Sequence, residues 1–75
     1  MKIKIYTLST CLYCLLSKDF LNHKKIAFDE IKLEENSDLF EELKVSLNYS
    51  QVPIIFIDDK FIGGYRELIH YFKNL

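Results

Sequence analysis

Polar and apolar residues alternate through Lys2-Ile3-Lys4-Ile5-Tyr6-Thr7, a run rich in β-branched and aromatic types that predicts a strand. Beyond Cys11, apolar residues fall at Leu12, Leu15, Leu16 and Phe20, with Leu21 beside them, and that spacing fits one face of a helix. Lys24-Lys25 would close the helix with favourable charge. Ile26 to Ile31, with Phe28 inside, alternates roughly and predicts a second strand, and the polar run from Lys32 to Asn36 predicts a loop. Ser37 or Asp38 can cap a second helix, with Glu41 three residues after Asp38 as in a capping box. Leu39, Phe40, Leu43 and Leu47 make its apolar stripe, and Glu41, Glu42 and Lys44 its solvated face. After a connection over Asn48 to Gln51, the continuous apolar run Val52-Pro53-Ile54-Ile55-Phe56-Ile57 predicts a buried central strand. Asp58-Asp59-Lys60 is turn chemistry, and Phe61-Ile62 can return as an antiparallel partner. Gly63-Gly64 breaks the chain, and Tyr65, Leu68, Ile69, Phe72 and Leu75 recur at helical spacing.

The order is therefore β-α-β-α-β-β-α: a parallel crossover unit, then a hairpin and a helix. The simplest closed arrangement is an α/β fold, a four-stranded mixed sheet with helices on both faces. Seventy-five residues make one small domain, 1–75, with 49% apolar residues and eleven aromatic rings to fill its core. A formal charge of −1 gives no argument for nucleic acid or an acidic partner surface. The sequence shows no apolar run of membrane length, signal-peptide pattern or lipidation motif. A cytoplasmic monomer is expected, with no membrane or nucleic-acid partner.

Two cysteines, Cys11 and Cys14, stand at the first strand-to-helix junction. A helix N-terminus offers unpaired N–H groups and the positive end of the dipole, so it favours a thiolate, the reactive form of cysteine. A free cysteine with a pKa of about 8.5 is only a few per cent ionised at neutral pH. The dipole contributes about 0.3–1 kcal/mol, and up to ~2 when partly buried, or roughly one pKa unit. Backbone amides and the Cys14 thiol can add to this, so Cys11 is expected to be substantially ionised. Cys14, one turn on and more buried, should keep its proton and then attack a mixed disulfide formed at Cys11. A zinc half-site is the competing reading. Zinc needs four ligands, and His23 and His70 lack finger spacing to the pair, so no metal is expected.

The lone proline, Pro53, opens an apolar strand and removes a ladder donor. It can simply end a loop. A cis Val52-Pro53 bond would instead turn the chain sharply and expose the Val52 backbone to a ligand's backbone, although trans is the base-rate state. Gly63-Gly64 fits a tight turn, and bare backbone before a helix can also receive an anionic group.

Together these features resemble the glutaredoxin family, within the thioredoxin fold. The resemblance runs over almost the whole chain: Ile5-Tyr6-Thr7, Thr10-Cys11-Leu12-Tyr13-Cys14, Val52-Pro53, Ile55-Phe56-Ile57-Asp58 and Ile62-Gly63-Gly64. It implies a cis Pro53 facing the cysteines, an interior first strand, and thiol–disulfide exchange with glutathione as reductant. It makes Cys11 the exposed nucleophile, Cys14 the resolving thiol and Tyr13 the aromatic residue beside them. Gln51 and Val52, with Pro53, would meet the cysteinyl part of glutathione, and Gly64 and Tyr65 would lie beside its γ-glutamyl end.

Three positions depart from the family pattern. Leu12 stands where proline is common, which frees an N–H, lifts a φ restraint and implies a shifted redox potential. Leu8 stands where a lysine usually holds a glutathione carboxylate. Arg66, followed by Glu67, stands where an acidic residue often helps hold the γ-glutamyl group. Arg66 could supply the missing cation from the other side of the cleft, or be a plain exposed arginine.

The resulting expectation is a glutathione-dependent oxidoreductase acting on protein disulfides or glutathionylated proteins. Two alternatives stand beside it. One is a thioredoxin-like electron donor served by a flavoprotein reductase, for example to ribonucleotide reductase. The other is a carrier in which two chains and two glutathiones hold a [2Fe–2S] cluster.

Overall fold

A computed structural model describes residues Met1–Leu75. Strand β1 spans Ile3–Thr7, β2 Asp29–Lys32, β3 Ile54–Ile57 and β4 Lys60–Gly63. Helix α1 spans Leu12–His23, α2 Ser37–Leu47 and α3 Tyr65–Lys73. The sheet order is β2-β1-β3-β4. β1 runs parallel to β2 and antiparallel to β3, and β3 and β4 form an antiparallel hairpin. The sheet is thus mixed, with β1 in its interior.

Alternation in β1 decides which face is packed. Ile3, Ile5 and Thr7 are buried, while Lys4 and Tyr6 are half-buried on the other face. Ile3 and Ile5 form one core cluster with Ile55 and Ile57 of β3, Leu21 of α1 and Leu68 of α3. Phe20 and Phe72 extend it, their rings 5.8 Å apart. On the other face Tyr6, Phe56, Phe61 and Tyr49 follow one another in edge-on or tilted contacts of 5.1–5.9 Å.

Several elements end elsewhere than their pattern predicts. β2 begins at Asp29, because the backbone before it is spent on closing α1. Lys25 adopts a left-handed φ of 57°, and the Ile26 N–H donates to the Leu21 carbonyl at 2.9 Å. Ile26 and Phe28 still pack on the core, but outside the ladder. The predicted loop from Lys32 contains a 3₁₀ turn, Leu33–Glu35, whose Leu33 is buried. Neither Ser37 nor Asp38 caps α2. Asn36, one of the strongest capping types, does so, accepting from the Leu39 N–H at 3.1 Å. Lys44 is not wholly on a solvated face, since its ammonium lies 4.1 Å from the centre of the Phe40 ring. Leu75 lies beyond α3 and is exposed. The hairpin turn puts both Asp58 and Asp59 at positive φ, 49° and 68°, as a two-residue primed turn requires.

Candidate active site

The site begins where β1 runs out. Cys11 is the N-cap of α1, in extended backbone conformation, and its Sγ accepts from the Cys14 N–H at 3.1 Å. Serine, threonine or aspartate oxygen usually takes that role; here a sulfur takes it. The contact puts a fixed backbone donor on that sulfur. Cys11 is partly exposed, and both cysteines are free thiols.

Cys14 is different. It is only 1% exposed. Burial, and then the hydrogen bond with Cys11, push its thiol up to about 12, while the Leu8 backbone and the Lys18 charge pull the other way. One sulfur is therefore presented and the other is buried and protonated.

The Val52 carbonyl oxygen lies 3.6 Å from Cys11 Sγ, and the Val52-Pro53 bond is cis. Pro53 is buried. From Val52 a groove of about 590 Å³ leads away to the start of α3. It gathers every residue that the sequence proposed for glutathione other than Cys11: Tyr13, Gln51, Val52, Pro53, Gly64, Tyr65 and Arg66. Tyr13 and Tyr65 face each other at 5.7 Å, joining the starts of α1 and α3 along one wall. Gly64 is the N-cap of α3, and its N–H donates to the Glu67 carboxylate at 2.8 Å. A side chain there would not fit, because a Cβ would come within 2.7 Å of the Tyr49 hydroxyl and 3.3 Å of the Pro53 carbonyl oxygen. Arg66 is exposed and makes no ion pair with the chain's own carboxylates. Cys11 does not line this groove. It lines a smaller recess of about 200 Å³ on the other side, shared with Leu8, Cys14, Leu15 and Lys18. Its sulfur stands at the divide between the two.

Sequence reasoning missed several lining residues. Tyr49 closes the groove, edge-on to Phe61 at 5.1 Å, and its phenol is pushed up by burial and then by the Glu67 charge. Nothing in a four-residue connection marks Tyr49 as special. Lys18 could have been found, since it stands four residues after Cys14 on a predicted helix. No group of three or more His, Cys, Asp or Glu side chains comes together anywhere in the molecule.

The protein-family model described as Glutaredoxin matches residues 3–62, which takes in the cysteine pair, the proline loop and most of the hairpin. The chain belongs to the glutaredoxin family. It is therefore a thiol–disulfide oxidoreductase of thioredoxin-like fold. This glutaredoxin is 38% identical over 66 residues to Glutaredoxin 3 of Escherichia coli strain K12, covering 88% of this chain and 80% of the relative. The crystal structure of Glutaredoxin 1 from Francisella tularensis, complexed with cacodylate, superposes with a TM-score of 0.80 at 38% identity, over 97% of this chain and 93% of that one. The glutaredoxin-like protein NrdH of Lactococcus lactis is 30% identical over 64 residues, covering 85% of this chain and 88% of the relative.

Proposed function

We propose that this glutaredoxin reduces protein disulfides and glutathione mixed disulfides, with Cys11 as the attacking sulfur, Cys14 as the resolving thiol and glutathione as the reductant. The observation that carries the reading is the position of Cys11 Sγ: partly exposed, 3.6 Å from the Val52 carbonyl oxygen, at the head of a groove that runs to the start of α3. A tripeptide disulfide-bonded to Cys11 would lay its cysteinyl backbone against Val52 and Gln51. Its γ-glutamyl end would lie at Gly64 and Tyr65, and Arg66 would supply a cation for one of its carboxylates.

The Cys11 thiolate attacks one sulfur of the substrate disulfide, and the other sulfur leaves with the electron pair. Cys14 then attacks Cys11. The Cys11–Cys14 bond forms, the bond from Cys11 to the substrate breaks, and the reduced substrate departs. Two glutathiones return the pair to dithiols, giving up one electron each and leaving as glutathione disulfide.

One feature favours a second reading. Leu8 puts an apolar side chain in the recess beside Cys11 where the family usually carries a lysine for glutathione. The similarity to an NrdH protein points the same way, to a donor recharged by a flavoprotein reductase and serving an enzyme such as ribonucleotide reductase. Two coupled assays on one disulfide substrate separate the readings, one driven by glutathione with its reductase and the other by thioredoxin reductase. Turnover with the glutathione system alone is expected. Turnover with thioredoxin reductase alone would replace the first reading with the second.

A further inference from the structure

The second chemical step asks Cys14 to do what its surroundings resist. It must give up a proton while buried, and burial pushes its thiol up. Cys14, Lys18 and Leu21 fall on one face of α1, and Cys14 and Leu21 are buried on it. Lys18 lines the same recess as the two cysteines, and it is the only charged residue that does so. Its ammonium is not free to swing away, because Nζ lies 3.0 Å from Glu30 Oε2 on β2. The same carboxylate oxygen accepts from the Thr7 hydroxyl at 2.7 Å. Thr7 is buried at the end of β1 and stands diagonally across the parallel ladder from Glu30, since its own partner is Lys32. Strand β1 thus fixes the carboxylate, and the carboxylate fixes the cation.

We propose that Lys18 is the cation that readies Cys14 for the resolving step, with Glu30 and Thr7 positioning it. This rests on the assignment of Cys14 as the resolving thiol. In the mixed disulfide Cys14 gives its proton to solvent, and its thiolate attacks Cys11 Sγ. The Cys11–Cys14 bond forms as the Cys11–substrate bond breaks, and the departing substrate thiolate later takes a proton from solvent. Lys18 keeps its own proton throughout and stabilises the charge on the attacking sulfur. The ionisable and polar groups that face Cys14 are Cys11 at the cap of α1, the Leu8 backbone just after β1, and Lys18 from its own helix, paired with Glu30 of β2. Once Cys11 is tied up in a disulfide it no longer carries charge, and Lys18 is the charged neighbour that remains.

Loss of a cation close to a thiol shifts it upward by roughly one unit. That removes about nine-tenths of the thiolate, but the more basic thiolate attacks about threefold faster, so ring closure slows about threefold. Both steps can be followed in one experiment. Reduced protein is mixed with glutathione disulfide and quenched with acid at intervals, and mass spectrometry separates the mixed disulfide from the closed ring. Lys18→Gln is expected to form the mixed disulfide at the normal rate and to close the ring about threefold more slowly at neutral pH, its pH profile displaced upward by roughly one unit. Lys18→Arg restores the profile. Superimposable ring-closure profiles for Lys18→Gln and the unaltered protein would overturn the proposal, as would equal slowing of both steps, which marks a merely structural residue. Should the glutamine variant not fold, Lys18→Met is read by the same criteria. Glutathione found on Cys14 instead of Cys11 overturns the assignment of the two thiols, a failure distinct from that of Lys18.

Discussion

Cys11 and Cys14 are the same residue type three positions apart, yet one is partly exposed and the other buried. Cys11 lies outside the first turn of α1, partly exposed, with a backbone donor on its sulfur. Cys14 lies inside that turn and faces the sheet, where desolvation keeps its proton on. The division predicts how single variants split the activity. Cys14→Ser should retain reduction of a glutathione mixed disulfide, which needs only one attacking sulfur, and lose reduction of a protein disulfide. Cys11→Ser should lose both. Turnover of each substrate by the two purified variants provides the check, and activity surviving in Cys11→Ser would contradict the roles. At this scale the sequence was informative, because spacing along one helix already separates a capping position from a buried one. Gly64 was legible as a break and as bare backbone before a helix, but not the close contact that calls for glycine there: the Tyr49 hydroxyl lies within 2.7 Å of where a Cβ would stand, and that contact crosses the groove.

Elements show where pattern reading stops. The alternation in β1 and the helical spacing in α1 gave both elements close to their ends. β2 was set too early because Ile26 and Phe28 are apolar and half-buried, as strand residues are, but the Ile26 N–H is already committed to Leu21. The link from Thr7 through Glu30 to Lys18 was invisible for a different reason. It joins three elements across 23 and 12 residues of sequence, and it exists only in the observed register of β1 against β2. The link also has a consequence for stability. The Thr7 hydroxyl, and then Lys18, hold the Glu30 carboxyl below its ordinary value. A carboxylate depressed in the folded state adds stability above the unfolded-state pKa and loses it as pH falls through the folded-state one. Glu30→Gln should therefore cost about 1 kcal/mol at neutral pH, and the deficit should shrink as the pH falls below about 4. Urea unfolding of both proteins across that range gives the comparison. A deficit that stays constant into acid would show that packing, not ionisation, is what the substitution removes.

The whole molecule brings together what the chain keeps far apart. Cys11, the Val52-Pro53 loop and the start of α3 are separated by some forty and then ten residues, and the interior position of β1 beside β3 closes that distance. The interior place of β1 came from the family resemblance; the mixed four-stranded sheet was readable from the order of elements, since a crossover followed by a hairpin leaves few ways to close it. The two walls of the site were not, because the division into a groove with Arg66 and a recess with Leu8 and Lys18 depends on how three segments meet at one sulfur. That sulfur is the centre of the proposed mechanism. Brief alkylation of the fully reduced, unaltered protein at neutral pH, followed by peptide mass mapping, reads its status directly. Modification should fall on Cys11 first, with Cys14 left free until the protein is unfolded. Modification of Cys14 at an equal or greater rate would contradict the assignment of Cys11 as the presented, attacking sulfur.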